Sequence, residues 1–181
     1  PIPVKHTRGM KVVVLRTGQP VDEALNRLGH FEHWFARGLD WPVERFFPVD
    51  AVASDSLPEP GVDGLIITGS THSVHDHEAW SVRAGEWIKR VIEGGSPVLG
   101  ICYGHQLIAD IFDGEVGLNP NGREMGVCMV EREDDALFDG LPKSFSVIQT
   151  HMDAVNKPPK NARVIAGNTL TPVQAMAIDD H

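Results

Sequence analysis

The chain has 181 residues, of which 41% are hydrophobic and 23% charged, and its formal net charge at pH 7 is −9. This length and composition predict one globular domain with a substantial core. The acidic balance argues against nucleic acid or an anionic membrane as a partner, and no apolar run approaches the length of a membrane span.

Strand-like and helix-like segments alternate in the first half of the chain. The residue patterns predict strands at 11–15, 43–49, 64–68 and 98–101, and helices at 21–39, at about 80–93 and directly after Cys102. This order predicts a three-layer, doubly wound α/β domain of the flavodoxin-like kind, with a mostly parallel sheet between helices. Functional sites in such domains lie at the carboxyl ends of the strands.

The second half of the chain has a more antiparallel pattern. Short β-like segments separated by Asp, Pro, Gly and Asn occur at 127–132, 144–150, 163–168 and 173–178. No repeat or interdomain linker interrupts residues 10–181, so we interpret them as a single domain. Residues 1–9 precede the first strand and are interpreted as an extension.

The heptapeptide Gly-Ile-Cys-Tyr-Gly-His-Gln at 100–106 places Cys102 at the joint between a strand and a helix. A thiol at a helix N-terminus meets unpaired backbone N–H groups that stabilise the thiolate. We therefore expect Cys102 to ionise more easily than a free cysteine and to be alkylated before the strand residue Cys128. Gly100 and Gly104 would permit a tight turn. The alternative is a buried structural cysteine, and in either case unpaired cysteines favour a reducing cytoplasm.

Four motifs in a fixed order resemble class I (triad-type) glutamine amidotransferases. They are the nucleophile motif at 100–106, a strand and loop at 66–74, the segments 114–116 and 123–126, and a Ser-His-x-Asp-x-Val-like stretch at 150–155. The resemblance covers residues 62–178. The opening at 15–20 further resembles stand-alone members that look like the amidotransferase domain of GMP synthase.

The resemblance implies that Cys102 attacks an amide carbonyl and that two donors stabilise the resulting oxyanion. Such donors must lie about 3 Å from the developing charge, and backbone N–H groups suit this role. The N–H of Tyr103 is one candidate, and by resemblance the N–H of Ser70 is the second. Together these donors would form an oxyanion hole. Most family members have a Gly-Gly-Pro-like sequence where this chain has Gly69, Ser70 and Thr71, so the oxyanion hole could differ in shape. Without the resemblance, Gly69 is an ordinary turn residue.

The resemblance also assigns a substrate-binding set. Its members are Gly69, Gln106, Thr150, His151 and Asp153. The alternative for Gln106 is a solvated helix residue. Arg123 and Glu124 are either an ion pair or a solvated turn, and the resemblance suggests a wall of the glutamine pocket.

The family's late His-Pro-Glu segment, which supplies the general base and its orienting carboxylate, has no counterpart here. No Glu follows Glu133, and neither His151 nor His181 is followed by Pro. His151 matches a residue on the substrate side. We therefore expect the sequence to lack the C-terminal part of the domain and to have little or no glutaminase activity.

These observations predict hydrolysis of a γ-glutamyl amide through a cysteine thioester, with release of ammonia. The alternatives are a γ-glutamyl peptidase or hydrolase and a non-catalytic binding or regulatory domain. No synthase domain or phosphate-binding loop is present in the sequence, so an ammonia acceptor would lie on a partner chain. No cofactor is expected, because His72, His75 and His77 match no usual zinc-binding spacing.

Overall fold

The structure is a computed structural model that describes residues 10–178. The expected extension at 1–9 and the terminal His181 lie outside the described residues. The first half forms a parallel sheet with the strand order β2-β1-β3-β4. Its strands are β1 (Val12–Arg16), β2 (Phe46–Asp50), β3 (Gly64–Ile67) and β4 (Val98–Gly100). The helices are α1 (Asp22–Leu28), α2 (Phe31–Leu39), α3 (Ala79–Glu93) and α4 (Tyr103–Ile111).

Alternate side chains of the central strands bury opposite faces of the sheet. Val13, Leu15 and Ile67 pack with residues of α3 and α4, including Trp87 and Leu107. Their neighbours Val12, Val14 and Ile66 pack on the other face against Ala36 and Phe46, with Phe35 of α2 alongside. Because both faces are covered by helices, the three-layer α/β arrangement expected from the sequence is confirmed.

The prediction of one helix at 21–39 is wrong, since the chain forms two helices there. Gly29 has a φ of +77°, which is costly for residues other than glycine, and it ends α1. α1 buries none of its residues, and α2 begins at Phe31 after this break. The 43–49 segment also begins with a single 3₁₀ turn, Val43–Arg45, before β2.

The second half is antiparallel, as the sequence indicates. One sheet has the order β10-β9-β6-β7, and a separate pair joins β5 to β8. The strands are β5 (Glu115–Leu118), β6 (Glu124–Arg132), β7 (Ser144–His151), β8 (Asp153–Lys157), β9 (Ala162–Gly167) and β10 (Ala175–Ile178). The sequence patterns missed β5 and β8 because both are short and neither alternates regularly between buried and exposed positions. None of the helices within residues 10–178 has the length and apolarity needed to cross a membrane.

Candidate active site around Cys102

Cys102 lies in a strained turn between β4 and α4, which we call the elbow. Its φ is +52° and its ψ is −105°, a backbone conformation that residues with a Cβ rarely adopt. Two close backbone approaches explain the flanking glycines. A Cβ on Gly100 would lie 2.5 Å from the carbonyl carbon of Gly104, and a Cβ on Gly104 would lie 2.7 Å from the Cβ of Ile67. The chain can make this turn only because both positions are glycine.

The loop after β3 reaches the same edge of the sheet as Cys102. β3 and β4 are adjacent and parallel, so their carboxyl ends lie side by side. A Cβ on Gly69 would lie 3.6 Å from the Cβ of Cys102. Ser70 follows directly, and its hydroxyl accepts a hydrogen bond of 3.1 Å from the backbone N–H of His72.

Tyr103 is held firmly at the first position of α4. Its backbone N–H lies beside the sulfur of Cys102, where it acts to lower the pKa of the thiol. Its hydroxyl lies 2.6 Å from that of Ser81, and its ring stacks on Trp80 with the centroids 5.6 Å apart. The packing of Tyr103 therefore fixes a backbone donor beside the thiol of Cys102.

The turn between β7 and β8 is tied to α4. The Asp153 carbonyl accepts hydrogen bonds of 3.0 Å from Nε2 of Gln106 and from Nδ1 of His151. Gln106 is only 6% exposed, so the alternative of a solvated helix residue is wrong. The Asp153 carboxylate accepts a 2.7 Å hydrogen bond from the Ser73 hydroxyl.

One cavity of about 550 Å³ adjoins Cys102. Among the residues that line it are Cys102, Gln106, Thr150, His151 and Asp153. Five of the eight candidate residues named from the sequence therefore share this cavity. Gly69, Ser70 and Tyr103 belong to the rim at the sheet edge and do not line it.

The pKa of Cys102 is raised. Burial of the thiol is the main cause, and the nearby Asp153 carboxylate adds to it, whereas the hydrogen bond from the Tyr103 N–H acts in the opposite direction. The expectation that the helix N-terminus makes this thiol more acidic than a free cysteine is therefore wrong. The elbow alone leaves Cys102 predominantly protonated at neutral pH, since desolvation disfavours the thiolate.

Two histidines stand near the elbow, and neither is arranged to take the proton of Cys102. His151 uses Nδ1 on the Asp153 carbonyl and directs Nε2 towards Glu124, 3.3 Å from Oε2 but outside hydrogen-bonding geometry. His105 has a buried, unpartnered Nε2, and burial lowers its pKa to about 4. An imidazole with so low a pKa is a poor base at neutral pH.

Glu124 is a buried carboxylate that sequence reasoning misread. It is only 2% exposed and accepts hydrogen bonds from Asn168 (2.6 Å), Thr171 (2.7 Å) and Gln174 (2.6 Å). Neither an ion pair with Arg123 nor a solvated turn describes it. Burial acts to raise the pKa of Glu124, but the hydrogen bonds from Thr171 and Asn168 outweigh it and the pKa is lowered.

The phase of β6 accounts for the burial of this position, which the sequence alone does not reveal because both faces of the strand carry apolar residues. Residue 124 is in phase with the inward positions 126, 128 and 130 of β6, so its side chain points towards the protein interior. The Glu124 network lies next to the β7–β8 turn, since Oε2 of Glu124 is 3.3 Å from Nε2 of His151.

Two histidines of the loop after β3 lie beside carboxylates. Nδ1 of His72 lies 2.6 Å from Oε1 of Glu78, and Nδ1 of His75 lies 3.5 Å from Oδ2 of Asp153. In the part of the chain that the structure describes, no group of three or more His, Cys, Asp or Glu side chains is arranged to hold a metal ion.

The chain is similar to known proteins in sequence. The family model "Glutamine amidotransferase class-I" matches residues 38–181. The chain is 42% identical over 153 residues to a glutamine-hydrolyzing GMP synthase of Aeropyrum pernix, covering 83% of this chain but 29% of that protein. It is 32% identical to gamma-glutamyl peptidase 2 of Arabidopsis thaliana, covering 80% of this chain and 59% of the relative. It is 34% identical to a glutamine-hydrolyzing GMP synthase subunit of Archaeoglobus fulgidus, covering 82% and 76%.

Solved structures show the same fold. A glutamine amidotransferase of Thermotoga maritima superimposes with a TM-score of 0.76 at 20% identity, covering 94% of this chain and 72% of that one. One from Methylobacillus flagellatus gives 0.75 at 24% identity, covering 94% and 66%. With the family model matching most of the sequence, the chain belongs to the class I glutamine amidotransferase family.

Proposed function

We propose that this domain hydrolyses the γ-carboxamide of glutamine, or a closely related γ-glutamyl amide, with Cys102 as the nucleophile. The observation that carries the proposal is the strained turn that presents Cys102 at the sheet edge shared with the Gly69–Ser70 loop and the β7–β8 turn. Strained backbone at such an edge is a recurrent feature of nucleophiles.

The chemistry divides into two steps. The thiolate of Cys102 forms a C–S bond to the γ-carbonyl carbon while the carbonyl π electrons move to oxygen. The backbone N–H groups of Tyr103 and Ser70 would stabilise that oxyanion. Its collapse breaks the C–N bond and expels ammonia, which needs one added proton, and water then converts the thioester to glutamate and free Cys102.

The cavity beside Cys102 would hold the rest of the substrate. Thr150, His151 and Asp153 would contribute from the β7–β8 turn, and Gly69 would approach the substrate only where it lies beside Cys102. Gln106 would contact substrate through Oε1, because its Nε2 already donates to the Asp153 carbonyl.

We further propose that the general base and its orienting carboxylate lie outside residues 10–178. Three observations support this. The pKa of Cys102 is raised, Nδ1 of His151 is hydrogen-bonded to the Asp153 carbonyl, and burial lowers the pKa of His105 to about 4. The base would be carried on a strand added to the sheet edge at β4, where Leu99 is 54% and Ile101 39% exposed.

The test compares glutamine hydrolysis by the 181-residue chain and by a version fused to a C-terminal strand that bears the His-Pro-Glu sequence typical of the family. Because a positioned base is typically worth about 10²- to 10⁴-fold in rate, only the fused version should hydrolyse glutamine substantially. Cys102→Ala in the fused version is the control and should be inactive. Substantial turnover by the 181-residue chain would show that a residue within it serves as the base. An inactive fusion that is folded would favour a non-catalytic binding or regulatory role.

The relatives leave two substrate assignments to separate. The Archaeoglobus fulgidus relative favours an amidotransferase chain that delivers ammonia to a synthase partner in the cytoplasm. Gamma-glutamyl peptidase 2 favours cleavage of γ-glutamyl conjugates instead. The two assignments are distinguished by the kcat/KM of the fused version. It is measured for glutamine and for γ-glutamyl peptides, each with and without a synthase partner.

A further inference from the structure

Two buried threonines lie beneath the loop that carries Ser70. Thr17 follows β1 and Thr68 follows β3, and their exposed fractions are 0% and 1%. Because β1 and β3 are adjacent and parallel, residues separated by 51 positions in the chain meet at the end of the sheet. Neither threonine lines the cavity beside Cys102.

Their hydrogen bonds converge on the carbonyl oxygen of Gly69. The backbone N–H of Thr17 donates to the Thr68 hydroxyl oxygen over 3.1 Å, and the Thr68 hydroxyl donates to the Gly69 carbonyl over 3.2 Å. The Thr17 hydroxyl donates to the Thr68 carbonyl over 2.9 Å and also lies 3.3 Å from the Gly69 carbonyl. The Gly69 carbonyl oxygen is therefore held towards β1.

The orientation of this carbonyl determines the direction of the next N–H. In a trans peptide the C=O of Gly69 and the N–H of Ser70 point in opposite directions, and the described chain contains no cis peptide bond. β1 and β4 lie on opposite sides of β3. A carbonyl held towards β1 therefore directs the Ser70 N–H towards the side of β4, where Cys102 lies.

Gly18 adds a steric restraint to the same peptide. A Cβ at that position would lie 3.0 Å from the Ser70 Cα and 3.2 Å from the Gly69 oxygen. The backbone of the loop therefore packs directly on the chain segment that follows β1.

We propose that Thr17 and Thr68 are positioning residues that aim the Ser70 N–H into the oxyanion hole. The inference rests on the proposed function, because this donor matters only if a tetrahedral oxyanion forms at Cys102. Turning the peptide over would withdraw the N–H and present the Gly69 carbonyl, whose partial negative charge would repel the oxyanion.

The test uses two reactions of Cys102 that differ in whether an oxyanion forms. Acylation by 4-nitrophenyl acetate passes through a tetrahedral oxyanion: the sulfur bonds to the carbonyl carbon, 4-nitrophenolate leaves with the electron pair, and the thiol proton passes to buffer. Alkylation by iodoacetamide displaces iodide at a saturated carbon and forms no oxyanion. The ratio of the two rates cancels any change in the ionisation of the thiol, and neither reaction requires a separate catalytic base.

We expect Thr68→Val, which keeps the shape but removes the hydroxyl, to lower the acylation rate about tenfold. This is less than the roughly 10²- to 10³-fold loss on removing an oxyanion-hole donor, because the donor remains but is no longer held. Alkylation should stay within about twofold of the parent. Thr68→Ser should restore acylation, and Thr17→Val should lower it by a smaller factor.

Ser96→Ala provides a matched control at the opposite end of the same sheet. It removes another buried hydroxyl, which donates to the Val62 carbonyl over 2.7 Å, and should leave the rate ratio unchanged. If Thr68→Val does not fold, Thr17→Val decides by the same ratio. An unchanged ratio in the folded variants, or a Thr68→Ser variant as impaired as Thr68→Val, would overturn the inference. If Cys102→Ala were acylated as fast as the parent, that result would instead refute Cys102 as the nucleophile.

Discussion

Replacing Glu124 by Gln should destabilise the domain strongly although the two side chains have the same shape. Asn168 donates to Oε1 of Glu124 over 2.6 Å, and its own Oδ1 accepts from the N–H groups of Leu170 and Thr171, so its amide cannot turn over to compensate. Thr171 and Gln174 donate to Oε2, so whichever oxygen becomes NH₂ faces a donor. Losing hydrogen bonds to a buried charged acceptor, together with leaving a buried donor to face an NH₂ group, costs about 3 kcal/mol.

Urea unfolding followed by circular dichroism measures this loss. With a slope of about 2 kcal/mol per molar, a loss of about 3 kcal/mol lowers the unfolding midpoint by about 1.5 M. Glu131→Gln, at an exposed position of the same strand, is the control and should change the midpoint little.

The effect of Glu124→Gln should also depend on pH. Because the folded pKa of Glu124 is lowered, the stability that its charge contributes is present above the unfolded pKa and is lost as the pH falls through the folded pKa. The difference between the parent and Glu124→Gln should therefore be large at pH 7 and shrink below about pH 4. Equal midpoints for the parent and the variant at pH 7 would refute the assignment of Glu124 as a buried structural carboxylate.

Two further substitutions probe the elbow. Asp153→Asn removes a charge that raises the pKa of Cys102, so iodoacetamide should alkylate Cys102 faster at pH 7 and the pH–rate midpoint should fall; an unchanged or higher midpoint would contradict this cause. Gly104→Ala places a Cβ 2.7 Å from that of Ile67 and should cost about 1–3 kcal/mol or prevent folding. Gly38→Ala is the control, because Gly38 lies in a helix and its added Cβ would have no neighbouring atom within 4 Å. In the same urea titration it should leave stability unchanged or raise it by up to about 1 kcal/mol. Equal effects of the two alanine substitutions would count against the close approach at the elbow.

Much of the fold and the position of the turn that carries Cys102 could be predicted from the sequence because their determinants are local. The alternation of strands and helices sets a parallel sheet, and glycines at 100 and 104 mark the turn that presents Cys102. The apolar spacing of residues 21–39 predicts one helix, but Gly29, with its positive φ, divides it into two.

The electrostatic state of the site depends on contacts between distant residues, and only the tertiary structure decided it. Local position predicted a more acidic thiol at Cys102, but burial and the Asp153 carboxylate, 51 residues away, raise its pKa. Glu124 resembles a surface residue in the sequence until Asn168, Thr171 and Gln174 enclose it. The sequence by itself determined where Cys102 lies in the fold, because backbone geometry follows from neighbouring residues. Its ionisation and supporting hydrogen bonds depend on desolvation and on partners brought together by folding, which local patterns do not specify.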